Sequence, residues 1–373
     1  MAASDSSDDA RFMALALALG RRGLGHAWPN PAVGAVVVRD DGSGLVIVGR
    51  GWTQPGGRPH AETEALHRAG TAAHGATLYV TLEPCSHHGR TAPCADAIIN
   101  SGIARVVSAL EDPNPQVAGA GHRRLVESGI TVEIGPGAEE ARRAHAGHIR
   151  RVRDGRPHVT LKLAVSADGK AGLAGRRHAT ITGDAARARV HLMRARNDAV
   201  LTGIGTALAD NPQLTCRLPG MANRSPVRVV LDGKLRLPLD SRLVATAGET
   251  PLWIIASDSA PSPREDALRA KSTKVFRPPE MNERLELSAV LKFLAERGIT
   301  RLLVEAGPIL AAAFLQADLV DEAMLLRSPN LIGNDGIDAL EGLPLRALTH
   351  SPRLTLAGTE QAGADTLEFY WRP

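Results

Sequence analysis

The stretch Pro84-Cys85-Ser86-His87-His88-Gly89-Arg90-Thr91-Ala92-Pro93-Cys94, read together with His60-Ala61-Glu62, decides the first half of the chain. One imidazole and two thiolates are borderline-soft ligands that suit Zn2+, and three protein ligands leave the fourth tetrahedral position for water. His60 precedes an apparent helix and Cys94 stands at the start of another, where a helix N-terminus favours a thiolate. Glu62 sits on the same short turn as His60. A carboxylate there can take a proton from an activated water and hand it to a leaving amine. A structural zinc site normally closes with four protein ligands. No fourth cysteine is at hand, although His87 or His88 could serve, so the set reads as catalytic.

Outward from these motifs, the first 135 residues alternate between strand and helix patterns. Residues 33–38 and 45–48 are short β-branched runs split by Asp40, Asp41, Gly42 and Gly44, a hairpin signal. Helical patterns at 61–69, 94–101 and 121–128 alternate with strand patterns at 76–81, 104–110 and 130–134. A hairpin followed by β-α-β-α-β predicts a mixed sheet with helices on its faces. Residues 12–19 read as a first helix, with Ser7 or Asp8 near its N-cap. Asp5, Asp8 and Asp9 before it carry the wrong charge for a secretory signal, and no run reaches the roughly 18 apolar residues of a membrane span. The expected location is the cytoplasm.

Composition narrows the function. At 373 residues, two domains are expected. Aromatics at 3% disfavour a reader of stacked bases, and 44 Lys+Arg against 40 Asp+Glu is too even for a nucleic-acid groove, though compatible with a small anionic substrate. Three cysteines cannot frame a disulfide scaffold, so metal-binding or free thiols in a reducing compartment are expected. Arginines crowd residues 139–156 and Asp154-Gly155 with Pro157 breaks the run, which puts the boundary between residues 1–153 and 154–373.

A second α/β pattern follows, with strands expected at 159–165, 199–202, 227–231, 252–256, 274–276, 301–305 and 322–326. Helices are expected at 184–196, with Asp184 as N-cap, and at 285–297 and 308–317; the rest of 257–284 reads as surface loops. Gly203-Ile204-Gly205-Thr206 is only part of a dinucleotide fingerprint. Glu305-Ala306-Gly307-Pro308 is better: a strand, a glycine turn and a helix start whose N–H groups suit a pyrophosphate.

The order His-x-Glu, Pro-Cys, Cys resembles the zinc-dependent nucleobase deaminases, but eight residues separate the cysteines instead of two. Together with Pro29-Asn30-Pro31-Ala32-Val33-Gly34, Val80-Thr81-Leu82-Glu83 and Asp112-Pro113-Asn114-Pro115, this resembles the bifunctional riboflavin-biosynthesis deaminase/reductase family, whose pattern includes that insertion. The resemblance continues through residues 162–169, 208–212 and 304–308.

The resemblance implies an N-terminal cytidine-deaminase-like mixed sheet with flanking helices and a C-terminal dihydrofolate-reductase-like α/β domain. It implies hydrolytic deamination of 2,5-diamino-6-(5-phosphoribosylamino)pyrimidin-4(3H)-one, then NADPH-dependent reduction of the ribosyl to the ribityl chain. By this match His60, Cys85 and Cys94 hold Zn2+, Glu62 shuttles the proton, and Asn30, His87 and Asn114 contact the substrate. In the second half Ala164, Thr180, Thr206, Asp210, Gly233, Gly307, Pro308, Ile309, Leu310, Ala311, Ala312 and Ala313 fall where the family binds NADP. Lys162, His178, Arg194, Leu214, Arg217 and Glu305 fall on its substrate side, the two guanidiniums matching a phosphate. Where many members carry Ser-x-Trp this chain reads His178-Ala179-Thr180, and Gly233 stands where a serine often sits. The expected partner is the small phosphoribosylaminopyrimidine, without nucleic acid or membrane, in a homo-oligomer.

Overall fold

The structure, a computed structural model, describes residues 6–87, 92–115, 117–173, 180–278 and 285–373. The chain divides into two compact units, Met1–Gly155 and Arg156–Pro373.

The first unit is built on five strands: β1 (Gly34–Asp40), β2 (Leu45–Trp52), β3 (Thr77–Val80), β4 (Arg105–Ser108) and β5 (Thr131–Ile134). Their order is β2-β1-β3-β4-β5, with the hairpin antiparallel and β3, β4 and β5 parallel. The period-2 alternation of β1 explains the layering. Val36 and Val38 face Phe12, Met13 and Leu17 of the helix Ser6–Gly20, while Ala35 and Val37 face Ala61, Ala65 and Ile98 on the other side. The first helix therefore starts near the expected Ser7. The arginine-rich stretch forms two short helices, Ala138–Ala144 and Ala146–Asp154.

Close packing sets the helix that carries the site. Gly51 and Gly49 of β2 lie directly under the helix Ala61–Ala69, and a Cβ on Gly51 would collide with the Ala61 carbonyl. That contact holds the start of the helix, with His60 as its N-cap, against the sheet.

Among the described residues the main sheet of the second unit has nine strands: β6 (His158–Val165), β8 (Ala199–Gly203), β9 (Val227–Leu231), β10 (Leu252–Ile255), β11 (Lys274–Phe276), β12 (Arg301–Glu305), β13 (Glu322–Arg327), β15 (Thr355–Ala362) and β16 (Asp365–Trp371). A two-stranded ribbon adds β7 (Lys170–Gly172) and β14 (Ile337–Asp338). The order is β11-β10-β9-β8-β12-β6-β13-β16-β15, parallel except for the terminal hairpin β15–β16. The first strand, β6, lies inside the sheet between β12 and β13, which creates the kind of crevice at parallel strand ends where ligands bind.

Three differences from the expected elements have physical causes. The helix Asp184–Arg196 has Gly183 as N-cap, and Asp184 occupies the first turn, where it pairs with Arg187. Ser262–Arg269 is a helix within the stretch read as loops; only Leu268 of it is buried, so it leaves almost no apolar stripe. The terminal hairpin has no expected counterpart. Its turn, Gly363-Ala364 with Gly363 at φ +67°, is a two-residue signal that a closer reading can use.

Candidate zinc centre and reductase cleft

In the first unit three segments converge. His60 caps the helix Ala61–Ala69, Cys94 opens the helix Cys94–Asn100, and Cys85 follows the end of β3. His60 Nδ1 lies 3.3 Å from Cys94 Sγ and 3.7 Å from Cys85 Sγ, and the three donor atoms fall within 4.8 Å of one another. Cys94 N–H donates to Cys85 Sγ at 3.3 Å, so the helix N-terminus already favours a thiolate there. The Cys94 side chain, then the His60 ring and the Cys94 N–H, pull the Cys85 thiol down to about 4 against burial. The same sharing with Cys85, reinforced by burial, drives Cys94 the opposite way. Two sulfurs competing for one proton beside an imidazole are a donor set that Zn2+ fits, since coordination keeps both as thiolates.

Glu62 is 3% exposed on the first turn of its helix. Burial, reinforced by Cys85, raises its carboxyl to about 7, although His60 and the hydrogen-bonding Cys94 thiol oppose the shift. Asn30 is held against the far edge of the His60 ring: its Nδ2 donates to the Gly57 carbonyl at 2.9 Å and lies 3.2 Å from His60 Nε2. His87 is exposed just beyond Cys85. Asn114 stands in a turn where its own N–H donates to Asp112 Oδ1 at 2.9 Å. His88, Gly89, Arg90 and Thr91 of the insertion lie outside the described residues.

In the second unit a cleft of about 1030 Å³ opens at the C-terminal ends of β6, β8, β9 and β12. Lys162, Ala164, Thr180, Thr206, Asp210, Leu214, Arg217 and Glu305 line it, as do Gly307, Pro308, Ile309, Leu310 and Ala313. His178 lies outside the described residues.

The geometry bears on four of these expectations. Ala311 and Ala312 are 0% and 2% exposed and face the core, because helical periodicity turns them away while Ile309, Leu310 and Ala313 face the cleft. Gly233 is not on the cleft wall; its neighbours are Ser257 and Leu285. Arg194 lines the cleft, but much of its guanidinium is already engaged. It grips Glu305 through Nε (2.6 Å) and Nη2 (2.8 Å), and Nη1 donates to the Thr215 carbonyl. Nor is every N–H free at the start of the helix Pro308–Gln316: Gly307 N–H donates to Thr206 Oγ1 at 2.9 Å. Proline has no N–H, so Ile309 and Leu310 supply the first-turn donors that an anion can reach.

Burial pushes the Lys162 ammonium down, opposed by Glu305. Burial acts on Glu305 in the opposite sense, and Arg194 outweighs it to hold the carboxyl below its usual range. Several cleft residues escape the sequence reading, among them Arg187, Arg236, Arg242 and His191, the last with its Nδ1 3.0 Å from the Thr215 carbonyl. For His191, the spacing of three from Arg194 on one helix is the signal that could have found it.

A His-Cys-Cys centre with a buried glutamate on a mixed sheet defines a zinc-dependent deaminase, here followed by a reductase unit of parallel strands. The model of the cytidine and deoxycytidylate deaminase zinc-binding region matches residues 6–110, and that of the RibD C-terminal domain matches residues 157–367. The riboflavin biosynthesis protein RibD of Escherichia coli is 41% identical over 370 residues, covering 96% of this chain and 97% of that protein. RibD of Bacillus amyloliquefaciens is 42% identical, covering 95% and 94%. Among solved structures, Acinetobacter baumannii RibD superposes with a TM-score of 0.86 at 35% identity, covering 99% of this chain and all of that one. A diaminohydroxyphosphoribosylaminopyrimidine deaminase/5-amino-6-(5-phosphoribosylamino)uracil reductase from Thermotoga maritima gives 0.84 at 35% identity, covering 99% of each.

The chain belongs to the RibD family of bifunctional deaminase/reductases of riboflavin biosynthesis. Zinc serves its first half and NADPH its second.

Proposed function

We propose that the first unit deaminates 2,5-diamino-6-(5-phosphoribosylamino)pyrimidin-4(3H)-one, and that the second reduces the ribosyl side chain of the product to ribityl. The observation that carries the first assignment is a buried carboxylate, Glu62, beside the His60–Cys85–Cys94 cluster. Held by these three residues, zinc would supply a Lewis acid that makes water nucleophilic at neutral pH. Glu62 would take one proton from the attacking water and deliver it to the ring nitrogen, then carry the remaining hydroxyl proton to the amine, which leaves as ammonia. Asn30, Asn114 and His87 orient the ring and ribose. Burial suits Glu62 to this work, because a carboxyl titrating near neutrality both accepts and returns a proton.

In the reductase cleft NADPH supplies the hydride. The N–H groups of Ile309 and Leu310 receive its phosphates, with Thr206, Asp210, Ala164 and Thr180 along the wall. Arg217, exposed at the cleft, meets the substrate phosphate, while Arg194 holds Glu305 in place toward the ribose and Lys162. Leu214, buried at φ +55°, closes the substrate end.

The working location we propose is the cytoplasm, supported by three free cysteines; no described helix is long and apolar enough to cross a membrane. The exposed edge strand β15, with Leu356 51% exposed, supports a homo-oligomer. We place the functional boundary at residues 153/154. The test is incubation with the diaminopyrimidine, with and without NADPH, measuring ammonia and ribityl product separately. The full chain should give ammonia in both cases and ribityl product only with NADPH, and a fragment of residues 1–153 should give ammonia alone. A zinc-loaded full chain that releases no ammonia removes the deaminase assignment.

A further inference from the structure

Glu83 is a buried carboxylate with no part in the chemistry above, yet it accepts four backbone N–H hydrogen bonds. Its Oε2 accepts from Asp112 N–H at 3.0 Å and Gly119 N–H at 2.9 Å. Its Oε1 accepts from Gly121 N–H at 2.7 Å and His122 N–H at 3.4 Å. The helix Ala120–Glu127 begins at Gly119, which has no side chain to cap it. Glu83 supplies that cap from a distant segment, with the charge that a helix N-terminus favours. Gly121 has no room for a side chain: a Cβ there would collide with the Pro84 carbonyl. The helix start thus rests on Glu83-Pro84, immediately before Cys85.

Glu83, Glu111 and His122 also bring ligand-type atoms within 4.8 Å of one another, and both His122 ring nitrogens are buried without a hydrogen-bond partner. A cation is the poorer reading of this cluster, because the four N–H groups already surround the carboxylate and point positive charge at the same place.

We propose that Glu83 is a positioning residue for deamination: its carboxylate fixes both ends of the Asp112–His122 turn and thereby sets where Asn114 stands relative to the His60–Cys85–Cys94 cluster. This rests on the reading of Asn114 as a substrate contact. The turn has a second anchor. Asp112 Oδ1 accepts from Asn114 N–H at 2.9 Å and faces His148 Nε2 at 3.4 Å, which ties the same turn to the helix Ala146–Asp154. Glu83 and Asp112 together leave the Asn114 backbone little freedom.

The test is a double-mutant cycle in the full-length, zinc-loaded enzyme, reading KM and kcat for deamination, zinc content and reductase rate. Glu83→Gln keeps the size but sets an amide N–H against backbone donors, so it should lower deaminase kcat/KM on the order of 10- to 100-fold, mostly through KM. Zinc content and reductase rate should be unchanged. Asn114→Ala should raise KM similarly, and adding Glu83→Gln to it should cost little more, because both changes act through one contact. Additive effects, or a wild-type KM in the Gln variant, overturn the proposal. A wild-type KM in Asn114→Ala alone instead removes Asn114 as a contact and with it this route. If the Gln variant loses zinc, His148→Ala decides: it frees Asp112 only and should raise KM severalfold with zinc retained. An unchanged KM there overturns the proposal.

Discussion

Thr206 Oγ1 accepts a hydrogen bond from Gly307 N–H at 2.9 Å, joining the first turn after β8 to the turn after β12 at the floor of the reductase cleft. Gly307 has ordinary extended backbone angles, φ −71° and ψ 172°, so glycine is not needed there for conformation. Proximity demands it: a Cβ would stand 2.9 Å from Thr206 Oγ1.

Gly307→Val should therefore push the two turns apart and misplace the Ile309 and Leu310 N–H groups. NADPH affinity should fall about tenfold, the size of a 1–2 kcal/mol overpacking cost. Deamination should be unaffected. Fluorescence titration of the cofactor against both proteins checks this, and equal affinity in a folded variant removes Gly307 from the binding site.

Glu305→Ala should be costlier than its loss of one contact suggests. It leaves Arg194, with a side chain 12% exposed, and the half-buried Lys162 without their common counter-charge. Removing one partner of a buried pair costs about 3–5 kcal/mol. Urea unfolding followed by Trp253, a core residue of the second unit, should show that loss. Reductase turnover should disappear while ammonia release persists.

Acid should loosen the second unit through Asp321. Burial alone would raise this carboxyl, but Arg156, with His158 and the Val159 N–H, holds it below its usual range. A group depressed in the fold contributes stability that is complete above its unfolded value, near 3.9, and is lost as pH falls through the folded value. Asp321→Asn should lower stability at pH 7 by about 3 kcal/mol or more, yet flatten its decline below pH 4. Equal acid sensitivity of the two proteins in thermal melts would exclude this pair as the cause.

These relationships show what the sequence makes legible. The zinc donors are readable because few side chains bind zinc and their spacing around two helix starts is restrictive. Strands such as Val227–Leu231 and Arg301–Glu305 are readable because short apolar runs, Val229–Leu231 and Leu302–Val304, are buried on both faces. The pairs Thr206–Gly307 and Arg194–Glu305 are not. Each joins residues more than a hundred positions apart, brought together only because β12 lies beside β8 and β6 in the sheet. Without that order, Arg194 reads as a partner for the substrate phosphate and Gly307 as a tight strand-to-helix turn. The strand β15 hides for another reason: five of its first residues face solvent, so no alternation marks it.

In the mechanism we propose, Glu62 moves the proton at a zinc centre formed by His60, Cys85 and Cys94. Its most direct test is the ammonia-release rate of Glu62→Gln, with zinc quantified in the same sample. The amide keeps the shape of the site but cannot take a proton. The expected result is about one zinc per chain and a deamination rate lower by roughly 10²–10⁴-fold. A Gln variant that holds its zinc and releases ammonia at nearly the wild-type rate would contradict it.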